Sequence, residues 1–247
     1  MKANKNYRIG NAIRLVGLWL LTCLLAFSFR AQTQTLYTWV ADGDGDWKDA
    51  SNWNPRGIPG GDAIVKFNHD GVYFVSGIPA DLNVLGMLFE GKGTTLLSVE
   101  APDANIIIGL EDEPTCVFRI AEAATMIIWG ANNSKWFVNR GIEGCIRGTL
   151  AILGADGAPG EHSIESLGLP GLKFRAGSRF IAGNGFQRLL SHPFGTNQTD
   201  EPLITFEPGS TFIQNDGLDP FGPSLELPQV LFMAGSTFEY ADNVEEN

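Results

Sequence analysis

Phe174-Arg-Ala-Gly-Ser-Arg-Phe180, Phe206-Glu-Pro-Gly-Ser-Thr-Phe212 and Phe232-Met-Ala-Gly-Ser-Thr-Phe238 are three copies of one pattern, F-x-[AP]-G-S-x-F, with starts 32 and 26 residues apart. Ile120-Ala-Glu-Ala-Ala-Thr-Met126 is a degenerate copy beginning 54 residues before Phe174, two intervals of 27, and Cys145-Ile-Arg-Gly-Thr-Leu150 is a shortened match between them. Self-similarity at a spacing of about 20–50 residues marks stacked repeat architectures. The centre of the unit, Pro208-Gly209 in one copy and Ala-Gly in the others, favours a type I or II turn, with glycine accepting φ > 0 at the second central position. Two-residue hairpins need the mirror-image turns, so this corner suits a chain passing between two faces of a coil. Stacked coils would set Phe174, Phe206 and Phe232 in one internal ladder and Phe180, Phe212 and Phe238 in another, with Gly177, Gly209 and Gly235 at the corners. One coil alone leaves its apolar side in water, so only the stack is stable.

The rest of the chain agrees. Short apolar runs closed by Gly, Asn or Pro recur, among them Ala63-Ile-Val-Lys-Phe67, Val72-Tyr-Phe-Val75, Asn105-Ile-Ile-Ile108, Thr125-Met-Ile-Ile-Trp129 and Thr149-Leu-Ala-Ile-Leu153. No window of about eleven residues carries an uninterrupted i, i+3, i+4, i+7 apolar stripe. The expected fold is all-β, a right-handed parallel β-helix or β-solenoid of about seven irregular coils, with little or no helix after the leader. Cys116 and Cys145 lie 29 residues apart, close to one coil. Adjacent strands about 4.8 Å apart put them within disulfide range; a stacked pair of buried thiols is the alternative.

The 247 residues include 17 Lys plus Arg and 28 Asp plus Glu, a formal charge of −11. Such acidity excludes a nucleic-acid role, which needs clustered cations. Residues 1–14 carry Lys2, Lys5, Arg8 and Arg14 without an acid, and Leu15–Phe29 is nearly all apolar. A basic segment followed by an apolar one of this length is a secretory signal peptide, too short to cross a membrane. Cleavage is expected between Ser28 and Gln32. Loss of residues 1–31 removes five cations and no acid, leaving 12 against 28 and a mature charge of −16. No later segment is long and apolar enough for membrane insertion as a helix. The domain plan is therefore a leader at 1–31 and one solenoid domain at 32–247, in a secreted, extracellular or cell-surface setting where disulfides persist.

Residues 32–67 form a tryptophan-rich capping module: Trp39, then Gly45-Asp46-Trp47, Ala50-Ser-Asn-Trp53, Ile58-Pro-Gly60 and Asp62-Ala-Ile-Val65. This W…GxW…NW…P frame resembles the opening segment of exported bacterial β-solenoid surface proteins, both autotransporter passenger-like and sorting-signal-bearing, adhesin-like ones. The likeness is specific over about thirty residues and looser over the repeats that follow. It implies an extracellular surface or adhesin-like solenoid. Such proteins commonly carry a terminal barrel or sorting domain, whereas here the last repeat is followed only by Glu239 to Asn247. A fragment of a longer passenger is thus one reading of the chain.

Asp42, Asp44 and Asp46 alternate with glycines like the start of a calcium loop, but the twelfth position is Trp53, where an EF-hand needs Glu. Either a low-affinity calcium site or a plain Gly-Asp turn fits. No other cofactor is expected. Glu111, Asp112 and Glu113 could in principle serve glycoside hydrolysis, yet neighbours in a loop diverge, which favours a solvated turn. His69, His162 and His192 occur singly, without zinc spacing, and the repeat serines lack a nucleophile-elbow context. Trp129, Trp136 and Phe137, flanking Gly130-Ala-Asn-Asn-Ser134, are the carbohydrate-stacking candidates; the competing role for these rings is to fill the interior.

The expected function is an exported, non-catalytic β-solenoid presenting a long side to an extracellular glycan or another surface protein. The alternative is a polysaccharide-active β-helix, a lyase or glycosidase. Distant coils converge on one face, so spacing alone does not exclude it.

Overall fold

A computed structural model describes residues 34–109, 116–154, 161–183, 192–196, 200–216, 219–221 and 229–240. The leader, the acids at 111–113 and the segment after Tyr240 lie outside the described residues. Residues Gln34–Asn247 cluster as one compact unit.

The chain winds through β1 (Thr35–Trp39), β2 (Gly45–Asp46) and a returning β3 (Trp53–Asn54). Three-sided turns follow: β4 (Ala63–His69), β5 (Val72–Ile78), β6 (Asn83–Val84); then β7 (Gly86–Gly91), β8 (Thr94–Val99), β9 (Ala104–Ile108). The next are β10 (Phe118–Ile120), β11 (Thr125–Gly130), β12 (Ser134–Val138), and β13 (Glu143–Ile146), β14 (Thr149–Gly154), β15 (His162–Ser166). Two-stranded turns complete the path: β16 (Gly171–Phe174) with β17 (Arg179–Ala182), β18 (Ile204–Phe206) with β19 (Thr211–Gln214), and β20 (Val230–Phe232) with β21 (Thr237–Tyr240).

These strands stack into sheet A (nine strands), sheet B (eight) and sheet C (β15-β12-β9-β6). Every pairing is parallel except β1 with β3. Four turns have three strands and three later ones have only two, so the 18 strands from β4 to β21 amount to about six full three-sided turns, where about seven were expected. Among the described residues there is no α-helix; the only helical segment is a 3-10 turn at Ala50–Asn52, capped by Asp49. Among the described residues no helix is long and apolar enough to cross a membrane.

Alternation in each strand, such as buried-intermediate through β11, sends every second side chain inward. On sheet A one inner row runs Phe67, Phe89, Ile120, Ile146, Phe174, Phe206 and Phe232 in register. The expected ladders form. Phe174 and Phe206 stack at 4.3 Å, Phe206 and Phe232 at 4.7 Å, Phe180 and Phe212 at 5.2 Å, and Phe212 and Phe238 at 5.1 Å. Within a turn the two rings meet edge to face, as Phe206 and Phe212 do at 5.8 Å.

The corner between the ladders is a type II-like turn. Gly177, Gly209 and Gly235 have φ of 83°, 83° and 93°, which only glycine adopts freely. The repeat serine closes each turn: Ser210 donates to the Glu207 carbonyl through both its amide (3.0 Å) and its hydroxyl (2.6 Å). Corners also bond to one another, Gly177 N–H to Gly209 at 2.9 Å and Gly209 N–H to Gly235 at 2.8 Å.

At the first turn Trp39, Trp47 and Trp53 are buried and pack edge to face, Trp47 with Trp53 at 4.8 Å and Trp39 with Trp53 at 5.0 Å. Trp53 Nε1–H donates to the Trp47 carbonyl at 2.8 Å. Gly45 has no room for a Cβ, which would stand 2.9 Å from the Trp39 ring. Cys116 and Cys145 form a disulfide with Cα atoms 5.2 Å apart, tying the approach to β10 onto β13 of the following turn.

Candidate functional site

Sheet C carries a cleft of about 410 Å³ on its outer face. The inner row Ile106, Trp136 and Ile164 is fully buried. The alternating outer row is Asn105, Lys135 and Ser163, and the next is Ile107, Phe137 and Glu165, all in register. Asp103, in a left-handed conformation at φ 60°, stands at the rim. Its carboxylate accepts from Asn133 Nδ2 at 3.1 Å, and Asn133 Oδ1 in turn accepts from the Glu161 amide at 2.9 Å.

The wall is the segment 192–196. The Ile164 amide donates to the Pro193 carbonyl at 2.9 Å, covering the free edge of β15. Gly195 follows with φ 74°, and a Cβ there would sit 2.1 Å from the Glu165 carboxyl carbon. Glu165 is thereby left 5% exposed and accepts from Ser163 Oγ at 2.8 Å. Burial pushes its carboxyl above the usual range, against the opposing pull of Ser163 and the Lys135 ammonium.

Behind the cleft, Trp136 Nε1–H donates to Ser134 Oγ at 3.0 Å, and Ser134 is 2.9 Å from His162 Nδ1. His162 Nε2 lies 3.1 Å from the Gly130 carbonyl. A carbonyl accepts only, so Nε2 carries the proton and Nδ1 accepts from the serine. Burial pushes the His162 pKa down from 6.5 to about 4. This histidine is an interior strut, neutral at physiological pH.

The long outer face of sheet B is different in kind. Thr94, Thr125, Thr149, Thr211 and Thr237 share one row, interrupted by Arg179. The neighbouring row is Phe74, Leu96, Ile127, Ala151, Ile181 and Ile213 before it ends at Glu239. On sheet A the cations are engaged in ion pairs: Lys66 and Arg119 with Glu90, Lys173 and Arg175 with Glu143, and Arg175 with Glu207 at 2.5 Å.

The aromatic candidates do not make one platform. Trp136 is fully buried, its neighbour Phe137 faces out of sheet C, and Trp129 sits on the outer face of sheet B, edge-on to Phe74 at 5.2 Å. Adjacent strand residues point to opposite faces, which separates Trp136 from Phe137. Of the calcium candidates, Asp44 accepts from the Phe74 amide at 2.7 Å and Asp46 from the Lys48 amide at 2.8 Å, so these two carboxylates brace turns, while Asp42 is exposed. Among the described residues the one convergent group of three ligating side chains is Cys116, Glu143 and Cys145, and its two sulfurs are joined in the disulfide.

Sequence reasoning missed Asn105, Lys135, Ser163 and Glu165. Their signal was spacing: Asn105, Lys135 and Ser163 lie 30 and 28 residues apart, the interval that separates the cysteines. Fold and faces together define a parallel β-solenoid. Compared with known proteins, the chain matches no protein-family model, no curated protein and no solved structure.

Proposed function

We propose that the protein is an exported, non-catalytic β-solenoid that serves as a cell-surface or adhesin-like contact protein, with the outer face of sheet B as its contact side. The carrying observation is the pair of threonine and apolar rows, in register over successive turns and interrupted only by Arg179 and Glu239. An otherwise acidic chain with one extended side of hydroxyls and methyls is suited to a flat, uncharged partner surface. Export rests on the basic-then-apolar leader; amino-terminal sequencing of secreted chain, expected to begin between Phe29 and Gln32, tests it.

Contact is tested with Ile127→Glu and Ile181→Glu, which place charge on the outer row without touching the interior. Retention of the labelled mature chain on intact cells should drop about tenfold or more, as expected when a central apolar contact is lost, while circular dichroism stays unchanged. Equal retention overturns the choice of face. The second reading, a polysaccharide-active enzyme, is favoured by Glu165 and Lys135 facing one cleft. Release of reducing or unsaturated ends from any polysaccharide in a panel would establish it.

A further inference from the structure

We infer that the sheet C cleft is a binding site for a neutral saccharide of one or two rings, separate from the contact side on sheet B. At about 410 Å³ it falls within the roughly 300–1,000 Å³ of small-ligand pockets. All twelve residues lining it are polar or glycine, so it is not built for an apolar molecule. Three carboxylates, from Asp103, Glu161 and Glu165, face the single ammonium of Lys135, a balance that repels uronates and phosphates. A metal ion fits no better, because no three carboxylate or imidazole ligand atoms in the cleft converge. An added peptide strand meets an obstacle at the centre of β15, where the Ile164 amide is already bonded to Pro193.

Hydroxyl-rich rings satisfy what remains. Carboxylates accept from paired hydroxyls, while the Lys135 ammonium and the Asn105 amide donate back. Asn105, Lys135 and Ser163 repeat at the strand spacing of about 4.8 Å, which offers successive turns to successive substituents of a ring. The acceptors are held in place before any ligand arrives: Asp103 by Asn133, and Glu165 by Ser163. Preorganisation of this kind lowers the entropy lost on binding.

The test is isothermal titration of the mature chain with cellobiose, maltose and lactose, beside digalacturonate and glucose 6-phosphate. At least one neutral disaccharide should bind and both anions should not. Lys135→Ala and Asn105→Ala, both at exposed positions, should each weaken binding about tenfold, the effect of losing a hydrogen bond to a charged or well-placed group. Gly195→Ala, which would push a methyl into Glu165, should abolish it. Ile127→Glu on sheet B should leave it unchanged. Binding of the anions alone, no binding of any neutral disaccharide, or full affinity in both Lys135→Ala and Asn105→Ala overturns the inference, and none of these results bears on the sheet B contact.

Discussion

Phe206 lies between Phe174 and Phe232 in one ladder and touches Phe212 of the other. Its removal leaves a void bounded by rings that are themselves held by their own turns. Phe206→Ala should therefore cost about 3–5 kcal/mol, read as a lower urea midpoint by circular dichroism. These rings were legible in the sequence because identity repeats at every copy. His162 was not, since Ser134 and Gly130 lie 28 and 32 residues away on the preceding turn and nothing local announces them. With a folded pKa near 4 against an ordinary 6.5, the neutral ring contributes stability that is fully present above about pH 6.5 and lost as pH falls through about 4. The difference corresponds to about 3 kcal/mol. The stability gap between the native chain and His162→Gln should widen by that amount from about pH 4 to about pH 7.5, measured by urea unfolding at each pH. Glu165, raised by burial, has the opposite slope, losing its contribution as pH rises, but it is common to both chains and cancels in the comparison.

At the scale of elements, strand alternation decides which chemistry reaches the surface. Lys135-Trp136-Phe137-Val138 reads out, in, out, in once β12 is placed, and that alone removes Trp136 from any ligand surface. A composition-level reading picked the rings and missed Lys135, because the register of a short strand is set by its neighbours across the sheet and not by its own residues. The corner turn, by contrast, was readable, since glycine at positive φ and the closing serine are local requirements. The disulfide joins two elements whose separation of 29 residues closes a loop worth about 3–4 kcal/mol in the unfolded-chain entropy picture. Adding a reductant should lower the urea-unfolding free energy by about that much, and Cys145→Ser should no longer respond to it.

For the whole molecule, each turn touches only the turns before and after it, so stability is a sum of nearest-neighbour terms. The architecture was legible from the repeat, but the cleft was not, because it depends on the segment 192–196 folding back over β15. The last described turn pairs on one side among the described residues, and Phe238 is 41% and Tyr240 67% exposed. Amide hydrogen exchange should be fastest in β20 and β21 and slowest in β7 to β14, where strands are paired on both sides. Uniform protection along the stack would mean that the solenoid opens as a single cooperative unit.

The capping module has an optical consequence. Trp39, Trp47, Trp53, Trp129 and Trp136 all lie in the first four turns, whereas the later turns are packed with phenylalanine. Indole emission therefore reports on one end of the rod and is blind to the other, while far-ultraviolet dichroism weighs both equally. The molecule carries its own position-coded dye, and any gap between the two melting curves measures how far unravelling at one end runs ahead of the other.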